Sequence, residues 1–322
     1  MIKRKENAGI GTGALVATIV VLLAIGFFGG YFVGMASVTP QQSGGNNEDS
    51  AWRTESIKIS GSTTVLPIAN ESAVVMMNKY SGVTITVQGG GTGVGYSNII
   101  DGVVDIGMAS RDPKSNEIQK AKNKSVDLWL HQIALDAVCV VVHPAVGNSS
   151  APLNLTLQEV GKIFGGVYKY WDEVKPYLPH KEIIVVVREP GSGTRATFEE
   201  FTMHPWNYTV VSSASVQPSN PAVRTKVETT PYSIGYVGFG FLSSNMHAVS
   251  LAKADGMPYV TPTKESIAKG DFPISRYLYL VTNGQPKSGS LADRFIDFVL
   301  SKDGQQIVEK NGYLKLPYLH GN

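Results

Sequence analysis

"VVVREPGSGTRATFEEF", residues 185–201, is the stretch whose reading decides the fold. Val185–Val187 form a β-branched strand end. Gly191-Ser192-Gly193-Thr194 then turns the chain, and a helix follows. Arg188 and Arg195 flank the turn. The first N–H groups of a helix have no intrahelical partner, and the helix dipole places partial positive charge at that end. Glycines let the backbone approach an oxyanion closely, and Ser and Thr hydroxyls add donors. The turn therefore suits a phosphate-like group. No activated nucleophile and no metal-ligand set stands beside it, so the stretch holds an anion and does no chemistry on it.

The same device recurs outward along the chain. "SIKIS" leads into "GSTTVLPIANESAVVMMNKY", "VTITVQ" into "GGGTGVGYSNIIDG", and "VDIGMAS" into "RDPKSNEIQKAK". Alternating strands and helices of this kind predict an α/β fold. One Ser/Thr turn is an ordinary helix cap, whereas four in one chain, two with arginines beside them, point to an anion site. Other phosphate motifs do not fit. "GSGTR" lacks the lysine of the nucleotide P-loop, and "GGGTGVG" lacks the spacing of a dinucleotide fingerprint. Gly191-Ser192-Gly193 is not the elbow of a serine hydrolase. Histidines 131, 143, 180, 204, 247 and 320 show no metal-binding spacing. Neither a metal nor another cofactor is expected.

Charge narrows the partners. The chain carries a net charge of +2, which Lys3, Arg4, Lys5 and Glu6 account for. The remainder is formally neutral and has no basic run, which argues against nucleic acid. No further charge appears until Glu48, and the apolar stretch between is long enough to cross a bilayer. Residues 1–36 thus read as a membrane helix with the N-terminus inside. A cleavable signal is the rival, with Gly34-Met35-Ala36 as its cut region. Residues 37–55 read as a flexible polar linker. Five Asn-x-Ser/Thr sequons, at Asn70, Asn123, Asn148, Asn154 and Asn207, suit an external surface. The single cysteine, Cys139, lies in the apolar run "DAVCVVV" and reads as a small core residue.

"ISGSTTVLPIA", "VQGGGTGVG", "VDIGMASRDPK", "IFGGVYKYWDEV", "VVREPGSGTRATFEEF" and "FIDFVLSKDGQQIVEKNGYLKLP" stand in the order seen in phosphate-binding proteins of the Pst ABC importer. The resemblance covers about residues 56–318. It implies a type II periplasmic-binding-protein fold, with two α/β lobes, two crossing strands and phosphate held in the cleft. Residues 56–138 and 244–322 are expected to form lobe I, and 139–243 lobe II. It also implies extracytoplasmic binding without catalysis, with inorganic phosphate and the importer's permease subunits as partners. The first lobe would offer Ser62, Thr63 and Thr64, then Thr92, then Ser110. The second would offer Arg188, Ser192, Gly193 and Thr194.

Arg111 and Arg195 could touch the ligand or form an ion pair between lobes. In the best-known branch of that family an aspartate stands where this chain has Ser110. Another stands two residues after the site arginine, where this chain has Pro190. Asp136, in "ALDAVCVVVHP" at the first crossing, is the substitute acceptor for the proton of hydrogen phosphate; its alternative role is a hinge carboxylate. The missing aspartate also leaves sulfate, molybdate and tungstate open as ligands. A phosphatase or a surface sensor on the same scaffold are the other readings.

Overall fold

The computed structural model describes residues 51–147 and 153–316. The expected membrane helix or signal over 1–36 lies outside these residues. Among the described residues no helix is long and apolar enough to cross a membrane. The expected linker ends sooner than residue 55. Ala51–Thr54 form a 3-10 turn, and Trp52 is buried against Tyr80, with ring centroids 4.8 Å apart. An indole has too much apolar surface to remain in a solvated tether once a core is nearby.

Alternation of strand and helix follows the sequence pattern. In order come β1 (Ser56–Gly61), α1 (Leu66–Lys79), β2 (Thr84–Gln88), α2 (Thr92–Ile100), β3 (Ile106–Ala109) and α3 (Ser115–Asn123). Then follow β4 (Leu128–Val142), β5 (Asn154–Thr156), α4 (Leu157–Phe164), α5 (Trp171–Val174), β6 (Ile184–Arg188) and α6 (Gly193–Thr202). The chain continues through β7 (Ser215–Gln217), α7 (Asn220–Thr229), β8 (Ser233–Gly238), β9 (His247–Ala248), β10 (Ser250–Ala252) and α8 (Lys264–Ala268). It closes with β11 (Ser275–Asn283), α9 (Leu291–Leu300) and α10 (Lys302–Lys310).

The principal sheet runs β2-β1-β3-β11-β4-β8-β6-β7, with β9 also on β4. Strand β4 is the element the two lobes share. Its residues Leu128–Ala137 pair with β11, and Val138–Val142 pair with β8. Fifteen residues give a strand of roughly 50 Å at ~3.3 Å per residue, long enough to serve two sheets. Strand β11 runs antiparallel beside its first half, and Asp136 and Arg276 are register partners just before β4 changes neighbours.

Two apolar cores flank this crossing. Ile59, Ile68, Met108, Leu280, Phe295 and Val308 lie in one, and Val140, Phe164, Trp171, Phe198, Tyr236 and Phe272 in the other. Cys139 is fully buried in the second, as a small hydrophobe. The boundary expected at residue 244 moves, because Val249, Leu251, Ile267, Phe272 and Ile274 belong to the second core. Strand β9 pairs with the far end of β4 and β10 pairs with β5, so the chain stays with the second lobe until β11. Phe164 and Trp171, from "IFGGVYKYWDEV", are both core residues, and Trp171 Nε1 donates to the Tyr232 carbonyl at 2.9 Å. Asn70, Asn123, Asn154 and Asn207 are all exposed; Asn148 lies outside the described residues.

Candidate anion-binding site

The second lobe contributes the end of β6 and the start of α6. Ser192 caps α6, its Oγ accepting from the Arg195 N–H at 3.1 Å. Phe198 on α6 stacks on Tyr236 of β8 at 4.1 Å, which seats the helix on the sheet. Tyr236 in turn accepts from the Arg188 N–H at 3.1 Å. Arg188 closes β6 and is only 1% exposed. Its Nε and Nη2 donate to the two carboxylate oxygens of Glu189, at 2.9 and 2.8 Å. The third nitrogen, Nη1, is buried and has no hydrogen-bond partner among the described residues. Burying a charged donor without an acceptor costs on the order of 1–3 kcal/mol or more, so this nitrogen marks where an anion is wanted.

The first lobe contributes three turns. At the end of β1, Ser62 Oγ accepts from the Thr64 N–H at 3.2 Å. Thr92 opens α2, and its Oγ1 accepts from the Ser110 N–H at 3.1 Å. The Thr92 and Ser110 hydroxyls are themselves 3.1 Å apart. Ser62, Thr63, Thr64, Thr92, Ser110, Ser192 and Thr194 are all buried.

The two lobes meet through these groups. Thr64 and Thr194 hydroxyls are 3.0 Å apart, and the Gly93 N–H donates to the Gly191 carbonyl at 3.0 Å. A Cβ on Gly193 would lie 2.3 Å from Thr92 Oγ1 and 2.4 Å from Ser110 Oγ, so only glycine lets α6 approach so closely. Gly91, at φ +90°, fulfils the same need opposite Glu189: a Cβ there would lie 2.9 Å from its Oε1. Residues from four separate turns thus form one buried cluster of hydroxyls, backbone and a guanidinium.

Three expected residues are engaged by other protein groups. Arg111 makes a two-pronged ion pair with Glu117 of its own lobe, at 2.7 and 2.8 Å, and lies over the Tyr96 ring. Glu117 also accepts the Lys114 N–H, so the pair secures the start of α3 rather than reaching across the cleft. Arg195 is likewise local, donating to Glu199 at 2.7 Å and to the Arg188 carbonyl at 2.8 Å. Asp136 is 0% exposed, and its carboxylate is already engaged. One oxygen accepts from Arg276 Nε and Nη2, at 2.9 and 2.8 Å; the other accepts from the Phe239 N–H at 2.9 Å. Burial pushes the Asp136 carboxyl above the usual range, and the adjacent guanidinium opposes that rise. A carboxylate so deep in the fold requires a countercharge, and Arg276 meets that requirement.

Four neighbours were not found by reading the sequence. Glu189, one position before Pro190, holds Arg188 with both carboxylate oxygens. Arg276 Nη2 donates to Thr194 Oγ1 at 3.1 Å and to Thr64 Oγ1 at 3.4 Å, and Nη1 donates to the Ser110 carbonyl at 3.3 Å. Asn220, the first residue of α7, donates from Nδ2 to Thr64 Oγ1 at 2.9 Å. Tyr236 holds the backbone of Arg188. Glu189 adjoins the motif and was legible there; the other three sit in segments with no glycine turn to announce them.

With this geometry described, similarity to known proteins is informative. A family model described as a PBP superfamily domain matches residues 46–303. The phosphate-binding protein PstS of Bacillus subtilis (strain 168) is 31% identical over 274 residues, covering 84% of this chain and 85% of that protein. The chain belongs to the PstS family of the PBP superfamily. PstS of Borreliella burgdorferi is 30% identical over 264 residues, covering 80% of this chain and 89% of that protein. Among solved structures, a candidate phosphate ABC transporter substrate-binding protein of Clostridium perfringens, with bound phosphate, superposes with a TM-score of 0.69. It is 29% identical, and the match covers 82% of this chain and all of that one. These matches take in both lobes.

Proposed function

We propose that this chain binds inorganic phosphate outside the cytoplasm, in the cleft between its lobes, and delivers it to the permease subunits of an ABC importer. The observation that carries the reading is Arg188 Nη1, a buried guanidinium nitrogen left without an acceptor among the described residues, beside a helix N-terminus. Relatives named for phosphate binding and a neighbour solved with bound phosphate support the choice of ligand. Arg188 supplies charge and a planar donor. Ser62, Thr63, Thr64, Thr92 and Ser110 from one lobe, and Ser192, Gly193 and Thr194 from the other, supply the remaining donors. We assign residues 56–137 and 275–316 to the first lobe and 138–274 to the second. Because neither lobe holds every donor, the ligand favours the closed state by contacts that the open state cannot make. Asp136 acts through Arg276, and Arg111 contributes to the first lobe alone.

Residues 1–36 act as the tether that keeps this cleft at the external membrane face. Binding, rather than turnover, fits a site of hydroxyls, backbone N–H groups and a guanidinium. Calorimetry of the full chain in detergent, with phosphate, sulfate and tungstate in parallel, tests the reading. One phosphate per chain, bound more tightly than either competitor, is expected. Saturating heat from sulfate or tungstate with none from phosphate would overturn it.

A further inference from the structure

Asn220 is fully buried at the start of α7, and the helix does not require it there. Ser219 already caps α7, its Oγ accepting from the Ala222 N–H at 3.2 Å. Asparagine is a poor helix former, and burying a carboxamide is costly unless its oxygen and its amino group both find partners. The oxygen finds one in its own lobe: Oδ1 accepts from the Gly238 N–H, at the end of β8, at 3.2 Å. A backbone N–H can only donate, so this contact fixes the amide and turns the amino group the other way. There it meets the first lobe. Nδ2 donates to Thr64 Oγ1 at 2.9 Å and lies 3.5 Å from Thr63 Oγ1.

The side chain therefore spans the two lobes. Helix α7 belongs to the second through Val223 and Val227, which pack with Val141, Val186 and Val237. Thr64 belongs to the first, next to the core residue Val65. Gly238 lets the two surfaces meet: a Cβ on it would stand 3.1 Å from Thr64 Cγ2 and 3.2 Å from Asp136 Oδ2, inside ordinary packing distance. The lobes also touch where the Gly93 N–H donates to the Gly191 carbonyl, but that contact is backbone to backbone. The Asn220–Thr64 bond is made by side chains, and a substitution removes it singly.

We propose that Asn220 is the latch of the cleft. It is a positioning residue that acts through Thr64 to hold the lobes shut, without touching the anion. It sets how long phosphate stays rather than how fast phosphate arrives. The inference rests on phosphate being bound by closure of this cleft. In the open cleft Asn220 and Thr64 are apart and hydrogen-bonded to water, so the encounter with phosphate does not involve their bond. Closure forms the bond, and release has to break it. Its worth is that of one neutral hydrogen bond, about fivefold in the closed-to-open ratio. Because both partners are protein groups, that worth is the same whichever tetrahedral anion lies in the cleft.

Radiolabelled phosphate on the full chain in detergent, sampled by rapid filtration and chased with unlabelled phosphate, yields both rate constants. In Asn220→Ala, release should be about fivefold faster and association within about twofold of wild type. Arsenate, a larger anion of the same shape, should lose affinity by the same factor when it competes with labelled phosphate. In a Thr64→Val background the Asn220→Ala change should leave the release rate alone, because the bond it breaks is already gone. A full fivefold effect there would confine Asn220 to its own lobe, through Gly238, and sink the latch. Unchanged release in the single variant, or a loss carried by association, would sink it too. A loss for phosphate but not arsenate would make Asn220 a ligand contact instead. If Asn220→Ala does not fold, Asn220→Asp keeps an oxygen for the Gly238 N–H and lacks the donor; it must release phosphate faster than wild type, or the proposal fails. Wild-type protein that takes up no phosphate would defeat the functional reading itself, a result distinct from all of these.

Discussion

The two lobes are built from the same strand–turn–helix unit and use it differently. The first lobe brings three turns with neutral groups at their tips, Ser62, Thr64, Thr92 and Ser110. The second brings chiefly one turn, but that turn carries Arg188, 1% exposed and with one nitrogen unpartnered among the described residues. Between them the crossing strands carry a net-neutral pair, Arg276 and Asp136, directly opposed in register. Charge in one lobe and hydroxyls in the other divide the work. The guanidinium makes the second lobe the landing place for an anion, and the first lobe supplies directed donors as the cleft shuts. Were both lobes charged, the closed empty state would carry like charges in apposition.

The comparison breaks most visibly at the crossing. Arg276→Met strands a 0%-exposed carboxylate without its countercharge, which typically costs about 3–5 kcal/mol. Thermal unfolding should show a fall of that size in stability. Adding Asp136→Leu should recover most of it while anion binding stays impaired, since Thr64 and Thr194 have lost their common donor. An unchanged melting midpoint in Arg276→Met would mean that the pair does not brace the crossing.

Next in size is Arg188→Ala. Truncating one buried, charged contact at a binding site costs on the order of 2–5 kcal/mol, a loss of at least about thirtyfold. The fold should persist, because Arg188 reaches Tyr236 through its backbone N–H rather than its side chain. Calorimetry with phosphate, beside a far-ultraviolet circular dichroism spectrum, checks both halves. Wild-type affinity in this variant would move the charge of the site elsewhere.

The smallest effect sharpens the contrast. Arg111 neighbours Ser110 in sequence but is committed to Glu117. Arg111→Ala should cost about 1–2 kcal/mol of stability through that lost pair, with phosphate affinity held within about twofold. A larger drop in affinity would return Arg111 to the cleft and make the first lobe charged after all.

How far these features were legible depends on how local their causes are. The strand–turn–helix units and the cap at Ser192 arise from residues within a few positions of one another. Helix termini must satisfy their N–H groups from nearby side chains, and that requirement is written in short motifs. Arg188 was legible for the same reason, being attached to the turn it serves. The return of the chain to the first lobe has no such local cause. Nothing in the local pattern of 244–274 distinguishes a second-lobe core segment from a first-lobe one; only the pairing of β9 with β4 does.

What the sequence by itself determined was the alternating α/β order, the four anion-suited turns and the residues at their tips. The tertiary structure alone decided the partners of the long charged side chains. Arg111, Asp136 and Arg276 could each reach several groups from their positions in the chain. Which they take depends on strand register and burial, and Asp136 meets Arg276, 140 positions further along the chain, because β4 and β11 pair in that register. A charge without solvent must take whatever opposite charge the fold places beside it, and that choice belongs to the fold as a whole.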